Sequence, residues 1–245
     1  MNNIYEFTEN EKDGLFQVRA KIDFGSIKEG DLGGWVSKSA KIGNGVEIGY
    51  GVKIGNAVKI GYGVQIGNYV EIGSGVEIGN DVQIGNGVQI GNAVKIGNYV
   101  QIGNDVKIDY GVRIGYGVQI GYGVQIGYGV KIGNGVKISN YGEIGNAVKI
   151  GNDVQIGNGV EIGYDVQIGY GVKILKNPLY IVTPRNQSFV NCCGDGNIQI
   201  GCQTHSYAYW LNNYESIGKK YEFTDFEIIL FKSYIDLCIL QYPKP

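Results

Sequence analysis

Arg113 is the only arginine between residues 42 and 174 of this 245-residue chain, and tyrosines surround it at regular intervals. Tyr110, Tyr116, Tyr122 and Tyr128 stand six residues apart, and Lys95 and Lys131 lie 18 residues to either side of Arg113. A guanidinium holds a phosphate through two parallel hydrogen bonds and stacks on a ring, where an ammonium offers only a point charge. Tyrosine and arginine together make up binding hot spots and platforms for stacking bases. These residues predict capture of an anion, with Lys95, Tyr110, Arg113, Tyr116, Tyr128 and Lys131 as the ligand-binding set. The bland alternative, drift among near-identical units, stays open for the tyrosines.

The other chemistry-bearing residues cluster late. His205 is the only histidine, three residues after Cys202, with Cys192 and Cys193 upstream. Such a set suggests zinc or a thiol–imidazole pair. A hairpin turning at Asp195-Gly196 would set Cys193 opposite Ile198, leaving Cys202 about 13 Å further along and Cys192 on the other face. Thiols spread that far cannot share one ion. The sequence therefore predicts no metal, no cofactor and no catalytic residue, and the cysteines read as buried, reduced structural thiols.

Composition narrows the function classes. Net charge is -2 with 42 glycines and four prolines, which gives no case for binding duplex nucleic acid. Met1–Thr8 carries no basic region followed by an apolar stretch, so no signal peptide is expected. No run approaches the roughly 18 apolar residues of a membrane span. These features predict a cytoplasmic protein.

What must position Arg113 is a repeat. Isoleucine recurs every six residues from Ile42 to Ile174, and valine stands two residues before nearly every one. The unit reads Ile-Gly-(Asn/Tyr)-(Gly/Ala/Asp/Tyr)-Val-(Lys/Glu/Gln). In Val-x-Ile the apolar pair shares one face of a short strand, and the glycine-rich segment supplies a sharp corner. So small a unit cannot bury its own apolar side and must stack on copies of itself. Three sides close a triangular coil of about 18 residues, and roughly seven coils stacked at about 4.8 Å make a prism about 35 Å long.

This pattern resembles the hexapeptide-repeat family, and the resemblance implies an all-β solenoid, a left-handed parallel β-helix, assembled as a homotrimer. Many members are acyltransferases that use a histidine as general base near a coil corner. Here the array has no histidine, and its six-residue step admits no loop insertion. Acyl transfer is thus disfavoured and a non-catalytic protein expected. Zinc carbonic anhydrases on this scaffold need three histidines, and ice-binding versions need threonine ladders. Both are excluded. The flanks, through Tyr5-Glu-Phe-Thr8, Asp31-Leu-Gly-Gly-Trp35, Gly201-Cys-Gln-Thr-His205, Trp210-Leu-Asn-Asn-Tyr214 and Tyr234-Ile-Asp-Leu237, look like phage- and prophage-encoded hexapeptide proteins. That likeness implies a phage-type setting in an infected host cell.

Three regions follow: a hairpin and capping segment at 1–41, the β-helix at 42–174, and a small α+β cap at 175–245. At the front, Ile4–Thr8 and Leu15–Ile22 read as a β-hairpin, with Trp35 available to plug the open apolar end. Gly142, standing where valine is expected, predicts a dent in the core. The rear cap reads as a hairpin (Ser188–Cys193, Asn197–Cys202), a helix at Ser206–Ile217 that stops at Gly218, and a second helix capped by Thr224 and Glu227.

Residues 18 apart stack, so each wall is legible. One wall carries Lys41, Lys59, Glu77, Lys95, Arg113, Lys131, Lys149 and Gln167; a second is mostly glutamine; the third is mixed. Stacked cations cost stability that an anion would relieve. The function expected is a binding protein that captures an anionic small molecule, such as a host signalling nucleotide, as a counter-defence. The alternatives are a structural or protein-interaction rod that meets a host protein through its cap, and then an acyltransferase.

Overall fold

Because one polar residue between inward valine and isoleucine is enough to turn outward, a strand of two residues suffices here. The computed structural model describes residues 5–12, 14–20, 30, 32–175, 179–182, 189–192, 196–200 and 203–241. Strands β4 (Lys41–Ile42) through β26 (Lys173–Ile174) recur at every sixth residue. Their isoleucines are at most 8% exposed, and every inward valine from Val46 to Val172 is at most 4% exposed. Strands 18 residues apart pair in parallel into three eight-stranded walls, one of them extended to ten by two antiparallel strands at its front. The result is the parallel β-helix that the repeat predicts, left-handed as the family resemblance implies, with about 8 turns of about 18 residues.

The array starts earlier than Ile42. Strands β1 (Tyr5–Lys12) and β2 (Leu15–Ala20) form the predicted hairpin, and β3 (Leu32–Val36) joins β2 on one side and the Lys53–Ile54 strand on the other. That adds a wall strand and explains why the coil count exceeds the expected seven. Trp35 does not plug the end. Strand alternation turns it outward, half-buried opposite Gln17 and Lys53, while Val36 faces in. Val18 and Val36, both fully buried, and the partly buried Phe7 close the core instead.

Corners have two rules. The residue after isoleucine is glycine because a Cβ at Gly97 would lie 2.7 Å from the carbonyl oxygen of Gly115 in the next coil. The second corner position is left-handed, at φ 71° for Gly111 and φ 57° for Ala93 and Tyr99. A non-glycine residue there costs roughly 1–2 kcal/mol. Ala93→Gly is therefore expected to raise stability by about 0.5–1 kcal/mol once the greater freedom of unfolded glycine is deducted. Urea titration checks this, and a loss of stability would refute it.

Asparagine at the first corner position has a specific role. Its Oδ1 accepts the corner N–H of the preceding coil, as in Tyr116 N to Asn134 Oδ1 and Tyr128 N to Asn146 Oδ1, both 2.8 Å. The predicted dent at Gly142 is shallow. The register holds through Gln125 N to Gly142 O (2.9 Å), and Ile138 Cγ2 lies 3.2 Å from where a Cβ would stand.

The rear cap exceeds the predicted hairpin. Strands β27 (Leu179–Val182), β28 (Phe189–Cys192), β29 (Asn197–Ile200) and β30 (Gln203–Ser206) form an antiparallel sheet in chain order. Cys192 opposes Ile198, one residue off the predicted register. Helix α1 (Tyr207–Lys220) docks through buried Trp210, whose Nε1 donates to Ile198 O at 2.7 Å. It runs past Gly218, which does not end it: a Cβ there would lie 2.5 Å from Ile228 Cγ1, so the glycine lets the helices approach. Helix α2 (Asp225–Gln241) begins with the predicted capping box, Thr224 N donating to Glu227 Oε2 at 2.7 Å.

The expectation of reduced thiols fails at one pair. Cys192 and Cys238 are disulfide-bonded and fully buried, with Cα atoms 5.6 Å apart, because α2 packs across β28. Cys193 and Cys202 lie outside the described residues. Among the described residues no helix is long and apolar enough to cross a membrane.

Candidate functional site

On the wall containing Arg113, the strands put Lys95, Arg113, Lys131 and Lys149 in direct register on adjacent coils. All four face solvent. They differ in their partners. Glu77 bonds Lys59 at 3.0 Å and Lys95 at 3.2 Å. Hydrogen bonds from Lys59 and then Lys95 hold the Glu77 carboxyl below the usual carboxylate range. A depressed pKa means these bonds persist at neutral pH and are lost only as pH falls through that lowered value. Arg113, Lys131 and Lys149 have no acidic partner among the described residues. They form an uninterrupted run of three cations.

Two corners border this run. Along one, Tyr110 and Tyr128 stack with ring centroids 5.4 Å apart and planes 8° from parallel. Along the other, Tyr116 meets Tyr99 at 5.3 Å. The predicted residues Lys95, Tyr110, Arg113, Tyr116, Tyr128 and Lys131 therefore do share one wall and its edges. Lys95 belongs to the Glu77 pair rather than to the free run. Tyr122 lies on the third corner, where Asp105 hydrogen-bonds its hydroxyl and pushes its pKa up. Sequence reading put Lys149 on this wall but left it out of the ligand-binding set, and it missed Tyr99, which sits at the second corner position and so falls out of phase with the other tyrosines.

The tyrosines interrupt the asparagine ladder. Asn86 N donates to Asn104 Oδ1, and Asn134 N to Asn152 Oδ1, both at 2.8 Å. Where Tyr110, Tyr116, Tyr122 and Tyr128 occupy the asparagine position, the corner N–H groups of Asn92, Asn98, Asn104 and Tyr110 have no such acceptor. Each forfeited bond is worth about 0.5–1.5 kcal/mol. The belt therefore carries its exposed rings at a cost to stability.

A second feature lies on the mixed wall. An open groove of about 690 Å³ runs beside Lys107, Asp109, Gln125, Glu143, Glu161 and Tyr164. A further groove of about 440 Å³ shares Lys107 and Asp109 and continues toward Lys53. Asp109, like Ser139 and Leu175, stands at a position where the other repeats have glycine, a departure visible in the sequence. The second wall, predicted as a glutamine ladder, has one side-chain contact among the described residues, Gln119 Nε2 to Gln101 Oε1 at 3.4 Å. His205 sits in the cap with its ring 4.0 Å from that of Tyr209.

These features define a parallel β-solenoid of hexapeptide repeats. Residues 57–92 and 70–110 match the family model described as bacterial transferase hexapeptide (six repeats). Among curated proteins none matches the chain. Solved structures similar to it include a GDP-perosamine N-acetyl transferase mutant from Caulobacter crescentus in complex with CoA and GDP-perosamine (22% identity, covering 53% of this chain and 52% of that one, TM-score 0.35). They also include the UDP-N-acetylglucosamine acyltransferase of Francisella novicida (22%, 82% and 76%, TM-score 0.33). A third is the acetyltransferase domain of PglB from Neisseria gonorrhoeae in complex with acetyl coenzyme A (15%, 53% and 54%, TM-score 0.35). The chain spans about half the length of the first of these structures. At these identities the likeness is one of fold.

The expectation of a non-catalytic chain is overturned. The finding against it is the repeat model that residues 57–92 and 70–110 match, which is described as that of bacterial transferases. The missing histidine excludes only an imidazole base on the array. A phage-type setting gains no support from these comparisons.

Proposed function

We propose that this protein is a hexapeptide-repeat acyltransferase that moves an acyl group from a thioester donor to a hydroxyl or amine. The observation that carries this reading is the match of residues 57–110 to the transferase repeat model. In the reaction the acceptor oxygen or nitrogen attacks the thioester carbonyl carbon and gives its proton to a base. The carbon–sulfur bond then breaks, and the sulfur leaves as a thiol after taking up a proton. With no imidazole on the array, this reading assigns the proton to a carboxylate. Asp109 is the candidate because it replaces a corner glycine and borders both grooves. Those grooves are large enough for a sugar-sized acceptor. The assembly is a homotrimer, for which light scattering at micromolar concentration must give three times the chain mass.

Thiol release from acetyl coenzyme A, assayed across amino and hydroxyl acceptors including nucleotide-linked amino sugars, tests the activity. Asp109→Asn is expected to slow transfer by about 10²–10⁴-fold, the usual contribution of a general base. His205→Ala is expected to leave it unchanged. Wild-type activity that persists below pH 6 fits a carboxylate base, since imidazole would be protonated there. Absence of transfer to every acceptor class refutes the reading. Loss on His205→Ala alone moves the base to the cap.

A further inference from the structure

We infer that the Arg113 wall binds a planar aromatic polyanion of the nucleoside diphosphate type. Its phosphates lie along Arg113, Lys131 and Lys149, and its base continues the Tyr110–Tyr128 stack. The inference leans on the transfer reading only for the source of the ligand: the nucleotide handle of an acyl carrier or a free nucleotide.

Three independent features meet at this place. The cation run is the first. Adjacent coils in a parallel wall lie about 4.8 Å apart, so three aligned side chains span about two steps, a length suited to a diphosphate. Like charges directly opposite one another destabilise a sheet. On the same wall Glu77 relieves Lys59 and Lys95, whereas Arg113, Lys131 and Lys149 have no anion of their own among the described residues. Arg113 adds the planar fork that grips phosphate through two bonds.

The second feature is the open stack. Tyr110 and Tyr128 lie nearly parallel on consecutive coils at one edge of the wall. At that corner the next coil carries Asn146 and Ala147 and the coil before carries Asn92 and Ala93, none with a ring. The stack thus ends after two rings, and a ligand base can supply the third over Asn146 and Ala147. Lys149 belongs to that same coil, so the cation run and the open end of the stack coincide.

The third is the forfeited ladder. Asparagine at the positions of Tyr110 and Tyr128 would cap the N–H groups of Asn92 and Tyr110, as Asn134 caps Tyr116. The rings are present in place of stabilising hydrogen bonds.

The same property makes the test robust to misfolding. Tyr128→Asn restores an acceptor for the Tyr110 N–H, so its melting temperature is expected to equal or exceed that of the wild type. Calorimetric titration then compares coenzyme A, ADP and inorganic pyrophosphate. Coenzyme A and ADP are expected to bind within a few-fold of each other, and pyrophosphate about tenfold more weakly for want of a ring. Tyr128→Asn is expected to weaken the two nucleotides about fivefold or more while leaving pyrophosphate unchanged. Arg113→Ala is expected to weaken all three about tenfold or more, as loss of a charged hydrogen bond does. Preference for coenzyme A over ADP assigns the site to an acyl carrier, and the reverse assigns it to free nucleotide. Absence of binding by all three probes, or nucleotide affinities unmoved by both variants, overturns the inference. Binding without thiol release would refute the transfer reading and leave the inference standing. Thiol release from acetyl coenzyme A, together with nucleotide affinities unmoved by Arg113→Ala and Tyr128→Asn, would do the opposite.

Discussion

Deleting residues 43–60, one full coil, is expected to leave a folded protein with its ligand affinity intact, whereas deleting residues 115–120 is expected to abolish nucleotide binding in a protein that still folds. Each coil is held to the next by its own ladder, for example Lys95 N to Val112 O and Gly97 N to Ile114 O at 2.9 and 2.8 Å. Stability in such an array is close to a sum of nearest-neighbour terms. Removing 43–60 joins Ile42 to Gly61 without changing phase, and Lys41 moves into the place of Lys59 beside Glu77. The run from Arg113 to Lys149 and the tyrosine corners beside it are untouched. Removing six residues also preserves the inward valines and isoleucines, but it turns everything downstream by one wall. Arg113 would then be followed by Lys137 and Gln155, and Tyr110 by Asn134. The run of three cations and the tyrosine pair would both be gone. Circular dichroism for folding, with ADP titration for binding, separates the two deletions. Equal affinity in both would mean that the walls carry no site.

Breaking the Cys192–Cys238 bond is expected to destabilise the rear cap by about 2–4 kcal/mol, the usual worth of a disulfide closing a long loop. The bond ties β28 to α2 across 46 residues of chain. The core it crosses is small, built on Ile198, Tyr207, Trp210, Phe231 and Ile235, and small cores depend on such staples. Cys238→Ser, or a reductant, should therefore unfold the helices at a temperature where the array remains ordered. Limited proteolysis reads this out: cleavage within 207–241 while the array stays intact. One cooperative transition for the whole chain, unmoved by reductant, would show that the bond adds nothing to the cap.

How much was legible in advance divides along physical lines. The repeat determined the solenoid, its three walls and the register of every outward residue. A strict period of six with two inward residues leaves strands no other pairing that buries their isoleucines. The capping box at Thr224 was legible for the same local reason. The rear sheet was not: β27 and β30 are short and lack alternation, and their pairing is decided by contacts between segments distant in the chain. Trp35 misled because its size suggested a plug, while the alternation of β3 assigned the inward place to Val36.

For the site, sequence alone placed Lys95, Arg113 and Lys131 on one wall and tyrosines at its edges, since stacking by 18 is arithmetic once the coil closes. Only the tertiary structure decided which cations are free. That depends on the reach of the Glu77 carboxylate to both neighbours, which spacing does not encode. It also gave Tyr122, already outside the predicted set, its own partner in Asp105. The cost of the tyrosine belt became visible only with the Asn134 and Asn146 side chains seen on the backbone of the coil before. The pairing of Cys192 with Cys238 likewise required knowing that α2 crosses β28, a packing choice made by the apolar side chains between them and not by cysteine spacing.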